Sequence, residues 1–159
     1  MFENREKDLT RYLLSHMKGV KSFYLTDAHL PYDAFVVSKS DITAIIETKV
    51  RDNTINLYPD YIMETEKLFN LISAATANNH KILYINFFKT EKPEQWDYII
   101  FNISCRIREW GEHGSPDAQC ILASDKSFIS KEKKKEKWII RLKYEQDKDE
   151  KGTLNLNLK

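Results

Sequence analysis

Two apolar, β-branched runs lie on either side of a short polar break in residues 31–51. The first run covers residues 31–37 and the second covers residues 42–51, and each has the length of a strand. The break, residues 38–41, has the sequence Ser-Lys-Ser-Asp, which is typical of a turn. This pattern predicts a β-hairpin, and the rest of the chain must fold around it.

Three charged residues lie within the two apolar runs, apart from Arg51, which ends the second run. Asp33 lies in the first run, and Glu47 and Lys49 lie near the end of the second. Strand side chains alternate between faces, so Glu47 and Lys49 are expected on one side of the sheet and Thr48 on the other. Charged groups in such an apolar segment are costly unless partners or a metal compensate them. The hairpin therefore indicates a functional site.

Asp33 followed by Glu47-Thr48-Lys49 on the next strand resembles the PD-(D/E)XK nuclease superfamily. The resemblance implies that the two carboxylates and the Thr48 carbonyl bind a divalent metal, for which hard oxygen ligands favour Mg²⁺, with Mn²⁺ as a substitute. It also implies that Lys49 is catalytic, either acting on the attacking water or stabilising the transition state by its charge. Residues 31–33 are Pro-Tyr-Asp, whereas the looser first motif of the family is Pro-Asp.

An acid separated by one residue from a lysine also occurs at 132–134 and 149–151, but there the surroundings are hydrophilic. The triplet at 47–49 differs because it lies in an apolar strand with a second acid on the neighbouring strand. The alternative interpretation is an ordinary Glu–Lys pair on an edge strand, with Asp33 opening the strand before it.

Two predicted helices supply further candidate site residues. A helix over residues 2–18 carries Glu6, which either joins the metal site, as the resemblance suggests, or is a solvated helix carboxylate. A helix over residues 59–79 carries Glu64 and Lys67, which either reach the site or form a surface ion pair. The inward stripe predicted for that helix is Tyr61, Glu64, Leu68, Leu71 and Ala75.

The order of elements predicts an α/β fold with a restriction-endonuclease-like core, which is a helix, a strand meander, a helix and a strand. The core is expected in residues 1–90, closing with a strand at 81–88 that is buried on both faces. Residues 91–145 are expected to complete the same single domain, and residues 146–159 form a polar tail. The remaining predicted elements are strands at 96–103, 118–123 and 138–144, a helical turn at 104–111, and an alternating segment at 154–158 suited to an edge strand.

Composition limits the partners of the protein. The net charge of the 159 residues is +1, so nucleic-acid binding would depend on local patches such as the lysine-rich segment 131–137, which could equally be a solvated loop. Cys105 and Cys120 lack metal-ligand spacing and are expected to be reduced thiols. No signal peptide or membrane span is expected, which predicts a cytoplasmic protein without a membrane partner.

The sequence thus predicts a metal-dependent nuclease that hydrolyses phosphodiester bonds of nucleic acid, in the first place DNA. The alternative is a non-catalytic nucleic-acid-binding or assembly module on the same fold. A structural protein-interaction domain would follow if the carboxylates of Asp33 and Glu47 pointed apart. The sequence leaves the oligomeric state open, a homodimer included.

Overall fold

A computed structural model of the protein describes residues 2–114, 118–124 and 134–156. Three helices and nine strands lie within these ranges. The helices are α1 (Phe2–His16), α2 (Thr65–Thr76) and α3 (Ile103–His113). The strands are β1 (Val20–Leu25), β2 (Ala34–Ser38), β3 (Thr43–Arg51), β4 (Tyr61–Glu64), β5 (Lys81–Lys89), β6 (Gln95–Asn102), β7 (Gln119–Ser124), β8 (Lys134–Leu142) and β9 (Glu150–Asn155).

The main sheet of the described chain has six strands in the order β1-β2-β3-β5-β6-β9. Strands β3 and β5 are parallel, and the other neighbours in this sheet are antiparallel. Strands β4, β8 and β7 form a second, antiparallel sheet. The predicted α/β class and the order helix, meander, helix and strand are confirmed, with β4 inserted before α2.

The predicted hairpin is confirmed by the antiparallel pairing of β2 with β3. Its turn contains Asp41 in the left-handed region at φ 61°, a conformation that aspartate tolerates better than most residues. The turn is closed by hydrogen bonds from the Ser38 amide to the Ile42 carbonyl, at 2.8 Å, and from the Ile42 amide to the Ser38 hydroxyl, at 3.0 Å. Local turn chemistry therefore fixes the register that places Asp33 beside the end of β3.

The main sheet buries apolar side chains on both faces because its strands alternate. Ile46 packs with Leu9 and Leu13 of α1, whereas Ile45, next to it in β3, packs with Leu68 and Leu71 of α2. Each fully buried aliphatic side chain of this size contributes about 1.5–3 kcal/mol to folding. Two cores thus hold β3 between α1 and α2. Glu47 is two residues after Ile45 and therefore projects from the same face of β3, toward α2.

The predicted helix over residues 59–79 is confirmed for Thr65–Thr76, with Leu68, Leu71 and Ala75 buried as expected, but it is wrong for residues 59–64. Residues 61–64 form β4, in which Tyr61 and Met63 are buried and the two alternate residues are less so. This alternation has the period of a strand, and β4 pairs with β8 through the register Met63↔Ile140. The helix begins only at Thr65, so Glu64 precedes it.

The C-terminal part adds strands to both sheets. Residues 146–159, predicted to be a polar tail, contain β9, which pairs with β6 at the edge of the main sheet. A buried ion pair fixes this region, because Asp149 accepts hydrogen bonds from both terminal nitrogens of Arg106 on α3 and from the Glu145 and Asn102 amides.

Parts of two further predictions fall outside the described residues. These are residues 131–133 of the lysine-rich segment and residues 157–158 of the last alternating segment. Among the helices that are described, none has the length and apolar character needed to cross a membrane.

Candidate active site

Asp33 lies where β3 extends beyond the end of β2. Its amide donates a hydrogen bond to the Ile46 carbonyl at 2.7 Å, which continues the ladder. Its carboxylate oxygen Oδ2 then accepts hydrogen bonds from the Thr48 amide at 2.7 Å and from the Thr48 hydroxyl at 3.0 Å. The Asp33 side chain thus accepts the hydrogen bond that a backbone carbonyl would accept if β2 continued. These bonds hold the Asp33 carboxylate against the second half of β3.

Glu47 is a buried carboxylate with a cation and an anion beside it. Its side chain is only 7% exposed, and Oε1 lies 2.7 Å from the Lys67 ammonium on α2. Burial raises the pKa of Glu47 to about 7, and the charge and hydrogen bonding of Asp33 raise it, while Lys67 opposes the change. The carboxyl groups of Asp33 and Glu47 are therefore close enough to interact, and they do not point apart.

The donor set at this place suits a hard divalent cation. In a strand the amide and carbonyl of one residue point to the same side, so the Thr48 carbonyl lies on the side of Asp33. Among the described residues, no three His, Cys, Asp or Glu side chains converge on a common point. A set of two carboxylates and one carbonyl still fits Mg²⁺, which is commonly bound by one or two carboxylates together with water and substrate phosphate. Such an ion would relieve the cost of two adjacent carboxylates.

Lys49 projects from the same face of β3 as Glu47, and its charge acts on Glu64 at the end of β4. Glu64 forms an ion pair with Lys137 of β8, at 3.0 Å. Burial tends to raise the pKa of Glu64, but the hydrogen bond and charge of Lys137, with the charges of Lys67 and Lys49, lower it below its ordinary value. The two candidates predicted to be neighbours on one helix thus separate: Lys67 pairs with Glu47, and Glu64 pairs with Lys137.

Glu6 reaches β3 from the α1 side. Its Oε1 accepts a hydrogen bond from the Val50 amide at 3.2 Å, and its side chain lines a small cleft of about 50 Å³ together with Asp33 and Thr48. Glu6 therefore borders the site rather than lying on a remote helix surface. His29 is exposed in the loop before β2.

The sequence did not identify three polar residues that support the site. The Arg51 guanidinium donates hydrogen bonds to the Asn86 side chain at 2.8 Å, the Ile62 carbonyl at 2.7 Å and the Tyr84 hydroxyl at 3.1 Å. Tyr84 pairs with Glu47 in the β3–β5 register, so this network lies beside the carboxylates. The sequence signal for Arg51 is its position on the same strand face as residues 47 and 49. Its partners Tyr84 and Asn86 could not be predicted, because they depend on the parallel register of β3 and β5, which the sequence does not provide.

No model of a known protein family matches the sequence, and no curated protein matches it. Among solved structures, the chain is similar to Hjc, a Holliday junction resolvase from the archaeal hyperthermophile Archaeoglobus fulgidus. The similarity covers 85% of this chain and 86% of that chain, with 12% sequence identity and a TM-score of 0.45. The interpretation of Asp33, Glu47 and Lys49 as site residues rests on their own geometry.

Proposed function

We propose that the protein is a metal-dependent nuclease that hydrolyses phosphodiester bonds in DNA. The feature that supports this most strongly is the buried Glu47 carboxyl group, which interacts with the Asp33 carboxyl group and lies 2.7 Å from the Lys67 ammonium. Two adjacent acids cost stability, and burial adds to that cost. A site that keeps such a cost and can bind a cation is typical of function rather than of packing.

The residues of this site have separate roles in the proposed reaction. Asp33, Glu47 and the Thr48 carbonyl would hold Mg²⁺. The chemistry that the ion supplies when bound is activation of a water and neutralisation of phosphate charge. Lys49, on the Glu47 face of β3, either takes a proton from the attacking water or stabilises charge on the phosphate.

Lys67 supplies a second positive charge, which could move from Glu47 to a substrate phosphate. Its side chain is 48% exposed, although its ammonium contacts the buried Glu47. With the Glu47 charge offset by a bound cation, Lys67 would lose much of its attraction to Glu47, and its flexible stem would allow it to turn toward a substrate phosphate. Loss of Lys67 should therefore weaken substrate binding more than it weakens metal binding.

A cleavage assay with Lys49→Ala tests the enzymatic role. The parent should cut DNA in the presence of Mg²⁺ or Mn²⁺ and not in EDTA. Lys49→Ala should lower the cleavage rate by a factor on the order of 10²–10⁴, the usual range for one acid–base group. The matched control is Lys81→Ala. Lys81 is an exposed lysine at the start of β5, away from Asn86, which is the register partner of Lys49. Equal rates for the parent and Lys49→Ala would show that the activity does not arise at this site.

Calorimetric titration with Mg²⁺ tests the ligands independently of cleavage. Asp33→Asn and Glu47→Gln should each lose most of the metal affinity, whereas Lys49→Ala should keep it, since all three oxygen donors remain. A non-catalytic binding module would give a different pattern, in which DNA binds without metal and no cleavage is found. Metal binding by both carboxylate variants at the parent's affinity would refute the ligand assignment.

A further inference from the structure

Three aromatic side chains form a cluster on the sheet beside the candidate active site. Tyr24 of β1 and Phe35 of β2 are register partners whose rings are stacked, with centroids 5.2 Å apart. Tyr32 packs against the same core cluster as Phe35. Burial raises the pKa of Tyr32, and the charge and hydrogen bonding of Tyr24 raise it as well. Tyr24, Tyr32 and Phe35 are termed the aromatic platform below.

The platform lies at the border of the core that helix α2 covers, because α2 packs mainly on β3, β4, β5 and β8. Tyr24 is 52% exposed, and the other two members are half-buried. Phe35 also makes an edge contact with the His80 ring, at 5.1 Å between centroids. His80 is itself fixed by a 2.6 Å hydrogen bond between its Nδ1 and the Thr43 hydroxyl. The platform is therefore a supported surface rather than a set of loose side chains.

The platform is continuous with the carboxylates. Tyr32 directly precedes Asp33, and the segment is fixed by hydrogen bonds from Thr26, whose amide donates to the Asp33 carbonyl and whose hydroxyl donates to the Tyr32 carbonyl. Phe35 lies two residues beyond Asp33, about 7 Å along an extended chain, on the same face. One nucleotide spans a comparable distance, so a strand with its phosphate at Asp33 would place a neighbouring base over the rings.

Stacking favours an unpaired base as the occupant. A base within a duplex has its faces covered by its neighbours, whereas an unpaired base offers a free π-face to an aromatic side chain. Tyrosine rings supply this contact area at a low entropy cost, and their hydroxyls can bond to the sugar or the base edge. Lys67, near the carboxylates, adds a positive charge for the backbone of the same strand.

We propose that the aromatic platform stacks unpaired bases of the substrate, so that the protein acts on nucleic acid with a single-stranded segment next to the cleaved phosphate. This inference rests on the proposed nuclease function and specifies its substrate class. It assigns Tyr24, Tyr32 and Phe35 to base binding.

Binding of two labelled DNA probes tests the proposal. One probe is a single strand and the other is the blunt duplex of the same sequence, and both are measured by fluorescence anisotropy in EDTA so that no cleavage occurs. Tyr24→Ala should weaken single-strand binding by about 5- to 150-fold, the usual loss for one stacked base, and leave duplex binding unchanged. Tyr24→Phe keeps the ring and should bind as the parent does.

Phe69→Ala is the control for loss of an exposed aromatic residue elsewhere. Phe69 lies on α2 and is 64% exposed, and its loss should not change the binding of either probe. A 2-aminopurine base placed in the single strand should show quenched fluorescence with the parent and with Tyr24→Phe but not with Tyr24→Ala.

Equal single-strand affinity for the parent and Tyr24→Ala would overturn the base-binding role. Equal losses for both probes would overturn the preference for unpaired bases. In either case, metal-dependent cleavage by the parent would leave the proposed nuclease function standing. A parent that neither binds nor cuts either probe would refute both proposals together.

Discussion

Glu47→Gln should stabilise the metal-free protein at about pH 8, although the substitution removes an ion pair. Glutamine has nearly the shape of the protonated glutamate, and it avoids both the burial of a charge and the repulsion from Asp33. The folded-state pKa of Glu47 is about 7, against an ordinary value of 4.5. A difference of this size corresponds to about 3 kcal/mol between the protonated and ionised forms. The unpaired Lys67 remains half-exposed, so its loss of a partner costs little.

The pH dependence gives the sign of this effect. Between about pH 4.5 and pH 7 the folded protein keeps a proton on Glu47 that the unfolded chain has released. The stability from this proton is therefore fully present below the unfolded pKa and is lost as the pH rises through about 7. Glu47→Gln should remove this pH dependence. The gain in unfolding free energy of Glu47→Gln over the parent should be close to zero near pH 4 and largest above about pH 8.

Urea unfolding in EDTA, monitored across this pH range, measures the effect. In thermal unfolding under the same conditions, a gain of about 3 kcal/mol would appear as a rise in Tm of about 6–12 °C for a domain of this size. Glu64→Gln is the control of opposite sign. The folded-state pKa of Glu64 is lowered, so its stability is present above the unfolded pKa and is lost as the pH falls through the folded value. A Glu47→Gln protein that is no more stable than the parent at about pH 8 would refute the account of a buried acid that is destabilised beside a second acid.

Three further outcomes are expected. Gly152→Ala should destabilise the fold by about 1–3 kcal/mol in urea unfolding, because a Cβ there would overlap the Tyr98 ring unless the ring moves. Asp149→Ala should cost about 3–5 kcal/mol in the same assay, because it removes the hydrogen-bonded partner of the buried Arg106 and leaves only Glu145, at 3.6 Å, as an ion-pair partner. Mg²⁺ at about 100 times its Kd should stabilise the parent by about 2.7 kcal/mol in a thermal titration, and this gain should be absent in Asp33→Asn. Unfolding free energies equal to the parent's, or an Asp33→Asn protein stabilised like the parent, would contradict these expectations.

The parts of the fold that the sequence predicted depend on contacts between nearby residues. The hairpin of β2 and β3 has its turn residues and its alternation within 31–51, so strand type, pairing and the shared face of Glu47 and Lys49 follow from local rules. Strand β5 was predictable for the same reason, because it is one apolar run without charged residues in its interior.

The errors arose where distant segments decide the structure. Residues 61–64 form a strand because β8, almost eighty residues later, pairs with them. The sequence near residues 61–64 gives no information about that partner. The choice of Lys67 as the partner of Glu47 follows from that correction, because the shorter helix begins at Thr65 and turns Lys67 toward β3. Likewise, Asp149 in a hydrophilic segment gave no sign that it would be buried against Arg106.

The ion pair between Arg106 and Asp149 also has a consequence for solubility. It fixes the turn that leads into β9, and β9 covers the edge of β6. The segment 98–101 of β6 is Tyr-Ile-Ile-Phe, an uncharged sequence with high β-propensity. If β9 detached, this segment would present unpaired backbone groups to other molecules. Variants that weaken the ion pair should therefore aggregate during expression before they lose the proposed active site, which lies at β2 and β3 and is separated from β9 by β5 and β6.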